Sequence, residues 1–202
     1  MIVESVDIKV SAFRSLYEAY GDEVVEKVLH HHHTHGGISR VVKIRECHRM
    51  FLGVELNDDE VAELAGRYAG LVEDTVIACD EVTGASAFLS ENASRQPMYV
   101  VSGTPEDELR RIIERRAIGH FFDAVYGSPK RKEAIVDDVL ARHGAAPSQA
   151  VFVGDTMTDY LAARATEVPF VGRVDPRHEN PFPVEIVTIP DISKLAEVID
   201  GD

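Results

Sequence analysis

Apolar residues follow two patterns along the chain, and the change between them divides it. Up to about residue 80 they recur every three or four positions, the spacing of one helix face. Val10, Phe13, Leu16 and Tyr17 mark a first helix, and Val24, Val25, Val28 and Leu29 mark a second that Gly36-Gly37 closes. Residues 38–52 make a third segment, with Val41, Ile44 and Met50 among its apolar positions. Asn57-Asp58-Asp59-Glu60 spells a capping box whose acids also suit the positive end of a helix. Val61, Leu64, Tyr68 and Leu71 then line a fourth helix, so this half predicts a small helical bundle.

From about residue 97 the pattern becomes short, fully apolar runs separated by helical stretches. Met98-Tyr99-Val100-Val101 and Ala150-Val151-Phe152-Val153 are the two strong strands; Pro169–Gly172 and Ile186–Thr188 are shorter candidates, and Ala124-Val125-Tyr126 is strand-like. Thr104 reads as a helix cap with Pro105 in the first turn. Ser128-Pro129 reads as the start of another helix, through Ile135, Val136, Val139 and Leu140, which Gly144 ends. Strands apolar on both faces and alternating with helices predict an α/β fold, a parallel sheet covered on both sides.

Composition narrows the function classes. The 202 residues carry 21 Lys and Arg against 35 Asp and Glu, a formal charge of −14. That balance argues against a nucleic-acid binder, which needs a basic face for phosphates. No apolar run reaches the length of a membrane span, and two cysteines, Cys47 and Cys79, make no disulfide framework. The expectation is a cytoplasmic protein.

In open parallel sheets ligands sit at the carboxyl ends of the strands. The first strong strand ends in Ser102-Gly103-Thr104, a hydroxyl, a glycine and a helix start that together suit a phosphate or oxyanion. The second ends in Gly154-Asp155-Thr156-Met157-Thr158-Asp159. Asp155 and Asp159 are hard oxygen ligands of the kind Mg²⁺ prefers. Between them, Lys132 follows Gly127-Ser128-Pro129 and suits a phosphoryl oxygen. His30 to His33 with His35 read as a helix end where partly protonated imidazoles meet the negative dipole. Cys47 and Cys79 read as inert.

In the order Ser102, Lys132, Asp155, Asp159, the chain resembles the haloacid dehalogenase-like hydrolases, in the branch of phosphoglycolate phosphatase and β-phosphoglucomutase. VVSGTP is similar to the second motif of that superfamily, GSPKRK to the third and VFVGDTMTDY to the fourth. The resemblance implies a Rossmann-like core over residues 81–202, an α-helical cap over 6–80, and residues 1–5 as a remnant of the core before the cap. It implies Mg²⁺-dependent hydrolysis of a small phosphorylated metabolite. Ser102 and Lys132 would be catalytic, Asp155 and Asp159 metal ligands, and Gly103, Thr104 and Arg40 substrate contacts, Arg40 from the cap loop His35–Arg40. It implies no nucleic-acid or membrane partner and leaves oligomer formation open. A receiver domain, which uses similar residues, places its acid pair before the hydroxyl and the lysine, whereas here the pair comes last.

The same family uses an Asp-x-Asp-Gly motif at the end of a first strand, whose first carboxylate attacks phosphorus. Met1-Ile2-Val3-Glu4-Ser5 fits the continuation of that motif, which would place both aspartates before Met1. The expectation is therefore a chain without its nucleophile, inactive as written. A valine GTG codon read as a start would account for it. The alternatives are a phosphomutase of the same superfamily and a non-catalytic phosphate-binding descendant. The missing strand would be central, between those ending at Ser102 and Asp155, and would leave two rows of backbone groups without partners.

Overall fold

The computed structural model describes residues 1–201. Four helices form the first half: α1 (Val6–Tyr17), α2 (Asp22–Thr34), α3 (Arg40–Cys47), which continues into a wider π turn over His48–Leu52, and α4 (Asp58–Ala78). The capping box forms as the sequence predicts, with the Glu60 amide donating to Asn57 Oδ1 at 3.0 Å and the Asn57 amide to Glu60 Oε2 at 2.8 Å. Phe13, Leu16, Tyr17, Val25, Val28, Ile44, Tyr68 and Val72 meet in one apolar core. Val41, Met50 and Leu71, expected on inward faces, are exposed instead. In α4 the buried stripe runs through Val61, Tyr68, Val72 and Val76, so the position after Leu71 is the one that turns inward.

The second half alternates helices and parallel strands: α5 (Ala85–Asn92), β1 (Tyr99–Pro105), α6 (Glu106–Arg115), β2 (Ala124–Ser128), α7 (Lys132–His143), β3 (Phe152–Gly154), α8 (Met157–Ala165), β4 (Phe170–Arg173), β5 (Thr188–Ile189) and α9 (Leu195–Asp200). Two predicted helix starts move. β1 runs on through Ser102, Gly103 and Thr104, so α6 begins only at Glu106, with Pro105 rather than Thr104 at the cap position. Ser128 ends β2, and α7 begins at Lys132, because the Ser128-Pro129 pair lies in the turn between them.

The strands do not form one sheet. β1 pairs with β2 in one parallel unit, and β3, β4 and β5 form another, in that order. Among the described residues no backbone hydrogen bond joins β1 to β3. Both strands end at the same edge, since the loops after them meet the same helical segment, as the site geometry shows. The sequence, apolar on both faces, predicts full burial, yet every residue of β1 is only partly buried. A cavity of about 1400 Å³ separates the two units, walled by Val100 and Val101 on one side and Val151, Phe152 and Val153 on the other. The amino-terminal segment lies beside β3: Met1 and Ile2 join the small core around Val82, Val171 and Ile189, and Val3 bridges antiparallel to Glu81.

Candidate active site

Gly154 ends β3 with no side chain, and the space is needed: a Cβ there would lie 2.3 Å from that of Asp159. This close approach brings Asp159 back over the start of its own helix. Asp159 Oδ2 accepts from the Thr156 amide at 3.1 Å and from Thr156 Oγ1 at 2.6 Å, while Oδ1 receives Lys132 Nζ at 2.6 Å. Lys132, the first residue of α7, also donates to Thr158 Oγ1 at 3.0 Å. The lysine and the acid, 27 positions apart in sequence, form a buried pair with side chains 11% and 8% exposed. Asp159 is thus committed to placing Lys132 and capping α8.

The helical half closes over this edge through two glycines. Thr158 Oγ1 donates to the Gly36 carbonyl at 3.1 Å. Gly37 adopts φ +78°, and a side chain there would run into Thr158, Thr156 and the Lys132 ammonium. The Gly37 carbonyl in turn lies where a Cβ of Gly103 would sit, at 2.3 Å. The loop after β1, the start of α7 and the start of α8 therefore converge on Gly36-Gly37. Ser102 Oγ accepts from the Thr104 amide at 3.1 Å, which leaves the Thr104 backbone in a tight turn and its side chain without a capping role.

Ser102, Gly103, Thr104, Lys132, Asp155 and Arg40 all line the same cavity, joined from the helical half by Lys9 and Lys43. Asp155 faces the Met1 amino group at 2.9 Å. Burial alone would raise its pKa, but that ammonium, with Lys9 and Lys132, holds it below the usual carboxylate range. Lys9 is pushed down by burial and by its neighbours Arg40 and Lys132, against the pull of Asp155 and Glu108. Lys43, also buried, is pushed down to about 8, and its ammonium rests 3.0 Å from His32 Nδ1. Neither lysine was singled out from the sequence. The signal was present: Lys9 falls in the stripe of Val6 and Phe13, and Lys43 stands beside Ile44 and one turn before Cys47, and a charge on an apolar stripe is uncommon.

Arg40 is tied into the packing between the two halves. It sits in the first turn of α3, not at the tip of a loop, with Nη2 2.6 Å from Glu108 Oε1 of α6. Its guanidinium stacks 4.6 Å over the Tyr68 ring, and both ends of the ion pair are buried. Nη1 is buried without a hydrogen-bond partner. Burial lowers the pKa of His31 and, to about 3, that of His32, which at these two positions disfavours the charged form expected at a helix end. Cys47 is buried and its thiol raised to about 11, in keeping with an inert residue.

The fit of Mg²⁺ rests on Asp155. Magnesium takes one or two carboxylates and completes its shell with waters and phosphate oxygens. Asp155 qualifies as the single carboxylate, lining the same cavity as Ser102 and Lys132. No cluster of three or more His, Cys, Asp or Glu side chains suited to a metal occurs among the described residues, so an all-protein cage is not formed.

The sequence profile of haloacid dehalogenase-like hydrolases matches residues 1–173. Among characterised proteins, a phosphoglycolate phosphatase of Pseudomonas fluorescens is 32% identical over 110 residues, which is 52% of this chain and 40% of that protein. A second, from Pseudomonas putida strain KT2440, is 32% identical over 80 residues, 37% of this chain and 29% of that one. The matched region thus spans less than half of either relative. Among solved structures, β-phosphoglucomutase of Clostridium difficile superposes with TM-score 0.79 at 15% identity, over 100% of this chain and 92% of that one. The magnesium-bound haloacid dehalogenase-like hydrolase YfnB of Bacillus subtilis gives TM-score 0.70 at 14% identity, over 99% and 94%. At these identities the structural likeness speaks for the fold.

Proposed function

Because the chain belongs to the haloacid dehalogenase-like hydrolases, we propose that its cavity binds a small phosphate monoester, with Ser102 and Lys132 on the phosphoryl oxygens. The observation that carries this reading is the buried Asp159–Lys132 pair, which aims a fixed ammonium into the same cavity as Ser102 and Asp155. A lysine held by a carboxylate and a threonine hydroxyl meets an anion with little loss of side-chain freedom. Asp155 is the residue that would hold magnesium, whose charge would neutralise the phosphoryl group when bound. Gly36-Gly37 close the helical half over the phosphate and exclude water. The phosphate monoesterase lineage follows from the family and from the phosphoglycolate phosphatases among the relatives.

Turnover needs an attacking group; Asp159 holds Lys132 and Glu108 holds Arg40, which commits both acids to other work. We propose that the residues described bind phosphate without turning it over. Calorimetric titration with inorganic phosphate tests the binding: saturable heat is expected from the chain, and its loss from Lys132→Met and Ser102→Ala, each still folded by circular dichroism at the titration temperature. Equal affinity in Lys132→Met would overturn the assignment. An assay on small phosphate monoesters with Mg²⁺ is expected to show no turnover. Hydrolysis abolished by both chelation and Asp155→Asn would refute the inactive reading.

A further inference from the structure

A second cavity, of about 430 Å³, opens on the helical half and shares no lining residue with the one at Ser102. The π turn builds it. After α3 the chain widens over His48–Leu52, and Gly53, at φ +67°, reverses it so that the Val54 amide donates to the His48 carbonyl at 3.1 Å. The reversal sets Leu52, Val54 and Leu56 around the cavity, with Leu64 of α4 and Tyr20 from the turn between α1 and α2. The Tyr20 ring meets the His48 imidazole edge-on, with centroids 5.9 Å apart. Glu60 and Glu63 of α4 complete the lining.

The exposed Tyr20 hydroxyl aside, the polar side-chain groups of this lining are acceptors. His48 is 3% exposed, and its Nδ1 stands 3.0 Å from the Ile44 carbonyl and 2.8 Å from the Tyr17 hydroxyl. A carbonyl only accepts, so Nδ1 carries the proton, while burial lowers the ring's pKa and favours its neutral form. Nε2 is then a bare acceptor with no hydrogen bond among the described residues. Among those residues only Arg40 Nη1 is fully enclosed without a partner, so Nε2 is reached by solvent, through the cavity that His48 lines. Glu60 spends Oε2 on the Asn57 amide and keeps Oε1, and Glu63 makes no ion pair among the described residues. No three His, Cys, Asp or Glu side chains among the described residues are placed to hold a metal ion, so the partner these acceptors lack is an N–H donor.

We propose that this cavity binds a small primary ammonium with an apolar body, its N–H groups shared among His48 Nε2 and the carboxylates of Glu60 and Glu63. An ammonium carries three donors and no acceptor, which matches a lining of acceptors. Leu52, Leu56 and Leu64 take the apolar body, and the Tyr20 ring offers a π face to the charge. The volume lies in the range of small-molecule sites. A chain of net charge −14 also draws cations toward its surface. The site does not depend on the phosphate assignment, since the two cavities have no residue in common.

The probe is phenethylammonium, with phenethyl alcohol as its neutral counterpart and phenylacetate as its anionic one. Amide proton–nitrogen correlation spectra of the full chain, recorded near neutral pH, follow the titration. Saturable shifts are expected on Tyr20, His48, Leu52, Val54 and Leu64, with a Kd on the order of 1 mM, as a molecule this small allows. The alcohol is expected to bind about tenfold more weakly, for want of charge-assisted contacts, and phenylacetate to leave the spectrum unchanged. The imidazole gives an independent reading: a long-range proton–nitrogen spectrum is expected to show His48 Nε2 without a proton in the free chain and to move its resonance when the ammonium binds. Glu63→Gln and Tyr20→Leu, both at exposed positions, are each expected to keep a native spectrum and to weaken binding roughly threefold. Each of these results overturns the proposal: no saturable shift up to about 10 mM in a natively folded chain; equal binding of alcohol and ammonium; shifts centred on residues outside this cavity; Nε2 protonated in the free chain; or affinity unchanged in both variants.

Discussion

Replacing Glu108 with glutamine removes the charge that Arg40 faces while preserving shape, and so isolates the energetics of the joint between α3 and α6. Glu108 is 5% and Arg40 8% exposed, at 2.6 Å, with the guanidinium already stacked on Tyr68 and Nη1 already without a partner. Breaking a buried pair by removing one member costs about 3–5 kcal/mol, because the remaining charge keeps its desolvation penalty. At about 2–4 °C per kcal/mol for a chain of this size, the expected fall in Tm is on the order of 10 °C. Urea unfolding followed by far-ultraviolet circular dichroism measures the free energy, and the double variant Arg40→Met/Glu108→Leu is the control. That variant is expected within about 1 kcal/mol of the parent or above it, since an apolar pair in the same space has no charge to desolvate. A loss below about 1 kcal/mol for Glu108→Gln would refute the reasoning, and would show Arg40 to be solvated and free to meet a ligand.

Other outcomes follow from the same coordinates. Lys43 is depressed from 10.5 to about 8 by burial, so the unfolded chain holds its proton more tightly than the fold does; the penalty is complete below about pH 8 and fades as pH rises toward 10.5. Lys43→Met is therefore expected to stabilise by about 1–3 kcal/mol at pH 7 and by much less near pH 10, which urea midpoints at the two pH values will show; an equal effect at both would contradict it. Phe13→Ala, at a site 1% exposed against Tyr68, is expected to lose about 3–5 kcal/mol in the same assay. Asn57→Ala removes one half of the capping box and is expected to lose about 1 kcal/mol, with Asn57→Gly losing only a few tenths. Little difference between Asn57→Ala and the parent would mean that Glu60 and solvent satisfy the first turn of α4 unaided.

The helices of the first half were readable because each depends on neighbours three and four positions away. The Asn57–Glu60 box, the stripe from Phe13 to Tyr17 and the glycine-closed end of α7 at Gly144 all lie within that reach. The two helix starts that shifted, after Ser102 and after Ser128, stand where a strand and a helix compete for the same residues. There the length of the neighbouring strand decides, and Thr104 is taken into β1 before it can act as a cap. Ser102, Lys132 and Asp155 could be picked out because strand-end turns and helix starts leave a local mark, and they do line one cavity. The pairings of Asp159 and Arg40 were not legible because their partners, Lys132 and Glu108, are 27 and 68 positions away.

Sequence by itself determined the order and kind of the elements, the two-part texture and the apolar character of the strands. These follow from backbone propensity and side-chain period, which act over one or two turns. Only the tertiary structure decided which charges are compensated. It pairs Asp159 with Lys132 and Glu108 with Arg40, and leaves Lys9 facing the cavity with no ion pair among the described residues. It also decided that, among the described residues, β1 pairs with β2 and β3 with β4 and β5. Hydrogen bonding between strands is a long-range matter: an apolar run states that it will be a strand, but its partner is set by where the rest of the chain puts the neighbouring edge.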